Sequence, residues 1–230
     1  MVLAAKLFVV KEEAEGRNLA LLATKLKAFR LEQEMRVEDQ SFNLLSEISD
    51  LTISGETLEG TFSFDTVFTV NQRGNSIPVT RTFQAPFTFN LFGEGLYLTI
   101  FEKKSRANSV ANEMSKALFM SLGQIVEGRI PPEVLKRFHE ENFENTKVLF
   151  FDSVDLPNIS KLSLYGEALG TTTLYNDYLE HGQIWYAVVK SRKFGYVVGV
   201  TRNAVVTCFS RADLPEFKTY VKSEVLPLLK

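Results

Sequence analysis

Cysteine, tryptophan and histidine are nearly missing from this 230-residue chain, with one, one and two copies. The lone Cys208 cannot close an intramolecular disulfide. His139 and His181 have no cysteine nearby and no metal-ligand spacing such as HExxH, so both are expected to be solvated polar residues. A basic excess is also missing. The formal charge of -2 denies the chain the overall footprint of a strong nucleic-acid binder and leaves room only for local patches. No apolar run nears the roughly 20 residues that a membrane-spanning helix needs. The opening MVLAAKLFVVKEE has no secretory cleavage pattern, so a cytoplasmic protein without membrane contact is expected, and Asn158-Ile159-Ser160 is read as a chance match to a glycosylation acceptor.

Phosphate-cradling loops are not legible either. Gly93-Glu94-Gly95 joins two strands instead of opening a helix, and the stretch from Gly166 to Thr171 is read as following a helix. No cofactor and no small-molecule ligand are expected.

What the chain has in quantity is phenylalanine, with 19 copies. Large rings mostly fill cores, and a surplus can line a binding surface. LAAKLFVV reads as a buried strand, and NLALLATKLKAF places Leu19, Leu22, Ala23 and Leu26 on one helical stripe. LEGTFSFDTVFTV and RTFQAPFTFNL alternate strictly, so Phe62, Phe64, Phe68, Phe87 and Phe89 are expected inside. LYLTIF then leads into a helix that Ser105 is expected to cap, with Leu122 at the end of its buried stripe. Pro131-Pro132 starts a short amphipathic connector helix, EVLKRFHEENF. Beyond it, KVLFFDSV reads as a strand, SKLSLYGEAL as a helix, and TTTLYN, QIWYAVVK, FGYVVGVT and NAVVTCF as four strands; Asp213 caps the last helix.

The expected organisation is therefore α+β: two similar β-α-β4-α halves, residues 1–123 and 146–230, with antiparallel sheets covered on one side by helices and a connector at 124–145. Phe87–Phe101 and Gly195–Phe209 align without a gap, matching Thr99 to Thr207, Phe101 to Phe209 and Ser105 to Asp213, which is the pattern of an internal duplication. This doubled order resembles the fold of the TATA-box-binding-protein group, which implies a saddle-shaped sheet with helices on its back. The near-neutral charge departs from that family, and its DNA bending is not carried over.

Three kinds of chemistry are legible. Asp152 ends an apolar strand with Asp155 three residues on, a placement that can hold Mg²⁺ for a phosphodiesterase, although such a site needs further carboxylates or a lysine in register. Cys208 falls on the apolar strand parity and reads as buried. Two basic clusters, Lys103-Lys104 with Arg106 and Lys190 with Arg192-Lys193, sit at strand ends where phosphates are commonly contacted. Together these point to a non-enzymatic binding protein, an accessory subunit in nucleic-acid handling that uses a broad sheet whose outer face mixes Ser, Thr, Asn and Gln with Tyr97, Phe101 and Phe209. The alternative is a protein-interaction or assembly subunit that uses the same sheet without nucleic acid.

Overall fold

The computed structural model of the chain describes residues 2–11 and 17–229, and they form an α+β protein in which every strand pairing with a defined register is antiparallel. The chain divides into two compact units: one is Phe8–Val126, and the other combines Met1–Leu7 with Glu127–Lys230. Strands β1 (Leu3–Val10) and β7 (Ile125–Glu127) each straddle that division.

In the Phe8–Val126 unit, α1 (Leu19–Lys27) precedes five strands: β2 (Arg30–Val37), β3 (Gln40–Ser54), β4 (Thr57–Gln72), β5 (Asn75–Phe92) and β6 (Gly95–Ile100). They lie side by side in chain order, and α2 (Lys104–Phe119) follows. The Asn18 side chain accepts from the N–H groups of Ala20 and Leu21 and so starts α1. Leu22 and Leu26 of α1 and Val110, Met114 and Leu118 of α2 bury against Leu58, Phe62, Phe87 and Phe89. Gly60 sits opposite Phe87, whose ring occupies the space where a Cβ would lie, so the absent side chain lets the aromatic row close.

Phe62, Phe87 and Phe89 are buried as the alternation predicts, while Phe64 is half-buried and Phe68 is 41% exposed. The reason is length. The β4–β5 ribbon pairs from Thr57–Asn90 out to Gln72–Asn75, but β3 pairs with β4 only as far as Phe64, and no core residue lies beyond it. The ribbon closes through Arg73 and Gly74, both at positive φ, as a two-residue hairpin turn requires.

The order within this unit differs from β-α-β4 because Arg30–Val37 is a strand exposed on both faces, without the alternation that marks a half-buried one. Two further differences lie at the ends of α2. Its N-cap is Lys103, with Ser105 already inside the first turn, and it stops where Met120 turns left-handed, which leaves Leu122 exposed. Thr88, Asn90, Thr99 and Phe101, expected on an open face, are all buried; Thr57 donates to Asn90 Oδ1 (3.0 Å) and Asn90 Nδ2 to Thr88 Oγ1 (2.9 Å).

The second unit orders its strands β1-β12-β11-β10-β8-β9, with β8 Thr146–Asp152, β9 Leu162–Tyr165, β10 Gln183–Lys190, β11 Val197–Thr201 and β12 Val205–Cys208. Its helices are α3 (Pro132–Glu140), α4 (Thr173–His181) and α5 (Leu214–Tyr220), and α5 continues as a π turn over Val221–Val225. Phe209, the last aromatic assigned to the outer face, is exposed just past β12.

Here the expected helix and strand exchange places. Leu162–Tyr165 is a strand because it alternates, with Leu164 buried opposite Leu149. TTTLYN belongs to a helix because Thr172 is its cap, accepting from Tyr175 N–H at 3.2 Å. The segment from Gly166 to Thr171 thus leaves a strand and leads toward a helix, the reverse of the sequence reading, with no lysine in it. Apart from β7 and α3, the elements run β-α-β5-α from β1 and β-β-α-β3-α from β8, and each series closes on a strand followed by a helix, β6–α2 and β12–α5. Asp213 caps α5 as expected, accepting from Glu216 N–H at 2.8 Å.

Candidate nucleic-acid interface

An aromatic group on β8, β9 and β10 forms a partly exposed surface of the Glu127–Lys230 unit. Ile184 pairs with Phe151 and Tyr186 with Phe150, so Trp185 is an extra residue, a β-bulge. A bulge cancels the strand's alternation locally. Trp185 and Tyr186, adjacent in sequence, consequently both reach Phe150, at ring-centroid distances of 5.6 and 5.4 Å. Tyr165 on β9 closes the group at 5.8 Å from Phe150. Tyr165 is 68% exposed and the other three rings are partly so.

Beside the rings lies a cleft of about 270 Å³ lined by Phe150, Lys161, Leu162, Ser163 and Trp185. The Lys161 ammonium sits 5.4 Å from the centre of the Trp185 ring, a cation–π contact. The indole N–H of Trp185 is shielded from solvent and has no acceptor in the protein. Desolvation, with Tyr165 adding to it, raises the pKa of Tyr186, so its phenol stays neutral. Chemically the arrangement offers flat apolar faces and one cation. Unstacked nucleobases use both.

The two basic clusters lie in different units. Lys103 caps α2 and Lys104 begins it, while Arg106 makes a bidentate contact with Glu102 (2.7 and 2.8 Å), which raises its pKa. Arg106 and Arg81 both stack on Phe83, at 4.6 and 4.7 Å from its centroid. Lys190 ends β10, and Arg192 and Lys193 occupy the turn to β11, where they pair with Glu144 (3.4 Å) and Glu224 (3.3 Å). Three of the six cations are therefore already engaged.

The other candidates are accounted for by packing. Asp152 is ion-paired with Arg202, and Asp155 accepts from His181 Nδ1 at 2.8 Å, so each carboxylate that could approach a metal already has a partner. Among the described residues, no three His, Cys, Asp or Glu side chains gather as a metal site. Cys208 is buried, and desolvation raises its thiol pKa. His139 is not the solvated residue that was expected. It is fully buried, on the inner side of an α3 whose apolar stripe is Val134, Leu135 and Phe138.

The chain matches no known family model and no curated protein. Among the described residues, no helix is long and apolar enough to cross a membrane.

Proposed function

We propose that the protein is a binding protein for single-stranded nucleic acid, serving as an accessory subunit in nucleic-acid handling. The observation that carries this reading is the bulge at Trp185, which gathers Phe150, Tyr165, Trp185 and Tyr186 beside Lys161. Paired bases present only their edges, whereas unpaired bases expose faces that stack on aromatic side chains with little regard to sequence. The reading does not rest on the TATA-box resemblance.

The cations divide into two sets with different expected effects. Lys103, Lys104 and Lys190 have no ion pair among the described residues, while Arg106, Arg192 and Lys193 do. Replacing the first three with Ser should flatten the dependence of log K on log salt by about 2, from roughly 0.7 per charge on a single strand. The same change in the second set should flatten it by much less. Equal effects from the two triple variants would contradict the assignment.

The β4–β5 ribbon supports a second reading, that of a protein-interaction subunit. Phe68, Val70 and Ile77 are exposed on a two-stranded arm, a structure with little stability of its own. Because the arm carries no core, Phe68→Ser with Ile77→Ser should change unfolding stability by no more than about 1 kcal/mol, from about 0.5 for each exposed position. On this reading the double variant shows a lower mass than wild type by light scattering, or loses capture of the partner complex. Unchanged mass and unchanged capture would remove the second reading.

A further inference from the structure

The edge of a β-sheet presents backbone N–H and C=O groups to any strand that approaches, and proteins usually blunt it with charge or proline. β2 and β5 follow that rule, and β4 does not. β2, at the end of the sheet, carries Arg30, Glu32, Glu34 and Arg36. β5 carries Pro78 and Arg81 on the stretch that precedes its pairing with β6. The pairing of β4 with β3 stops at Phe64, and beyond it Thr66–Gln72 has neither charge nor proline; its run of Thr, Val, Phe, Thr and Val consists of strand-favouring residues.

The turn of the arm determines which groups lie on that open edge. Gln72 and Asn75 flank a two-residue turn, so they form a hydrogen-bonded pair, and the two kinds of pair alternate from there. Thr69–Pro78 is therefore a pair without mutual hydrogen bonds, as the missing N–H of proline demands. Val67, Thr69 and Asn71 consequently turn their N–H and C=O groups away from β5, while Pro78 interrupts the row of donors on the arm's other edge. On the arm, β4 alone offers an unbroken edge.

An extended strand is what fills such an edge. Two copies of β4 that meet antiparallel about a two-fold axis at Thr69 complement each other in side chains as well as backbone. Thr69 faces its own copy, a favourable pair. Phe68, 41% exposed, comes opposite Val70 of the second copy, and Val70, 40% exposed, opposite its Phe68, which makes two aromatic–β-branched pairs on one face. Arg73 comes level with Asp65 of the second copy. Neither has an ion pair among the described residues, and the two bonds that Asp65 accepts, from Leu45 N–H (3.0 Å) and the Thr82 hydroxyl (2.6 Å), come from neutral donors.

We propose that the protein forms a symmetric dimer through the β4 edges of its two arms, which join into one four-stranded sheet. The proposal rests on the reading of the arm as a protein-interaction surface and names a second copy of this chain as the occupant. The dimer is closed, because each copy has one such edge and Pro78 prevents growth at the other.

The test is sedimentation equilibrium of the nuclease-treated full chain over a range of concentrations. Wild type should reach twice the 26.0 kDa mass of the chain. Thr69→Pro should remain at 26.0 kDa, since it deletes a donor from the open edge and none from the pairing with β5. Thr69→Asp keeps the backbone N–H but sets two like charges face to face, and it should be monomeric as well. Thr69→Cys places two thiols on a hydrogen-bonded pair with Cα atoms about 5.5 Å apart, within disulfide range, so oxidation should give a covalent dimer. Thr80→Cys, on the same face of the arm but on β5, should not cross-link. A wild type that is monomeric at every concentration, a dimer that persists in both Thr69→Pro and Thr69→Asp, or cross-linking of Thr80→Cys equal to that of Thr69→Cys would overturn the proposal. A monomeric wild type that still captures a partner complex through Phe68 and Ile77 would end the dimer and leave the interaction reading standing.

Discussion

Acidification from pH 7 to pH 4 is expected to remove about 3 kcal/mol of stability through His139 alone, because its pKa is lowered from the ordinary 6.5 to about 4 and each tenfold change in proton affinity is worth about 1.4 kcal/mol. The imidazole is completely buried, with its Nδ1 2.8 Å from Thr146 Oγ1 and the Tyr175 ring edge-on at 4.8 Å. The Thr146 hydroxyl donates to Asn142 O at 3.3 Å, so it accepts from His139, which places the proton on Nδ1 and leaves Nε2 bare and without a partner. Burial lowers the His139 pKa to about 4, outweighing the opposing pull of Glu140, while Lys136 adds slightly to the lowering.

The sign follows from where each state takes up a proton. Above the unfolded value of about 6.5 neither state is protonated and nothing is lost. Between there and about 4 only the unfolded chain binds the proton, so stability falls with pH; below the folded value both states are charged and the loss stops. Urea unfolding of wild type and His139→Leu at a series of pH values isolates the effect, because all other groups titrate in both proteins. The stability difference should move by about 3 kcal/mol in favour of the variant as the pH falls from 7 to 4. A difference that stays constant with pH contradicts the burial of a neutral imidazole.

The second large effect is expected at the aromatic surface. Each stacked base is worth about 1–3 kcal/mol, so Tyr165→Ser should weaken binding of a single-stranded oligonucleotide by roughly 5–150-fold. Tyr165 is largely exposed, and its loss should hardly change the unfolding midpoint. Trp185→Leu, which keeps an apolar side chain against Phe150, should weaken binding similarly. Both losses should persist at high salt, where phosphate contacts contribute little, and that separates stacking from charge. Losses that vanish with added salt would transfer the effect to the lysines.

Much of the Phe8–Val126 core was legible because its chemistry is periodic. Leu22 and Leu26 repeat at helical spacing, and Phe62, Phe87 and Phe89 alternate at strand spacing, so pattern and burial coincide. The alternation continues through Phe68 and Val70 without change, and nothing local to those residues reveals that the core has ended. Arg30–Val37 failed for the opposite reason, since a strand wet on both faces needs no apolar pattern and is held by its pairing with β3. The aromatic surface was hidden by period two itself. Trp185 and Tyr186 are neighbours that strict alternation sends to opposite faces, and only the register against Phe151 and Phe150 shows that a bulge brings them together. The available signal was the chain's one tryptophan next to a tyrosine inside a strand. The basic clusters were legible as sequence, but their partners were not, because Glu144 and Glu224 lie 48 and 31 residues from Arg192 and Lys193.

That single tryptophan also supplies the most direct measurement. Trp185 is the only indole in the chain and it lines the proposed stacking cleft, so its fluorescence reports on that place alone. Titration of wild type at low salt with a mixed-sequence single-stranded oligonucleotide is expected to quench Trp185 emission to saturation, while the corresponding duplex leaves it almost unchanged, since paired bases have no free faces to offer. Emission that stays constant while the single strand is shown by anisotropy to be bound, or the absence of any binding, would contradict the assignment of this surface to unpaired bases.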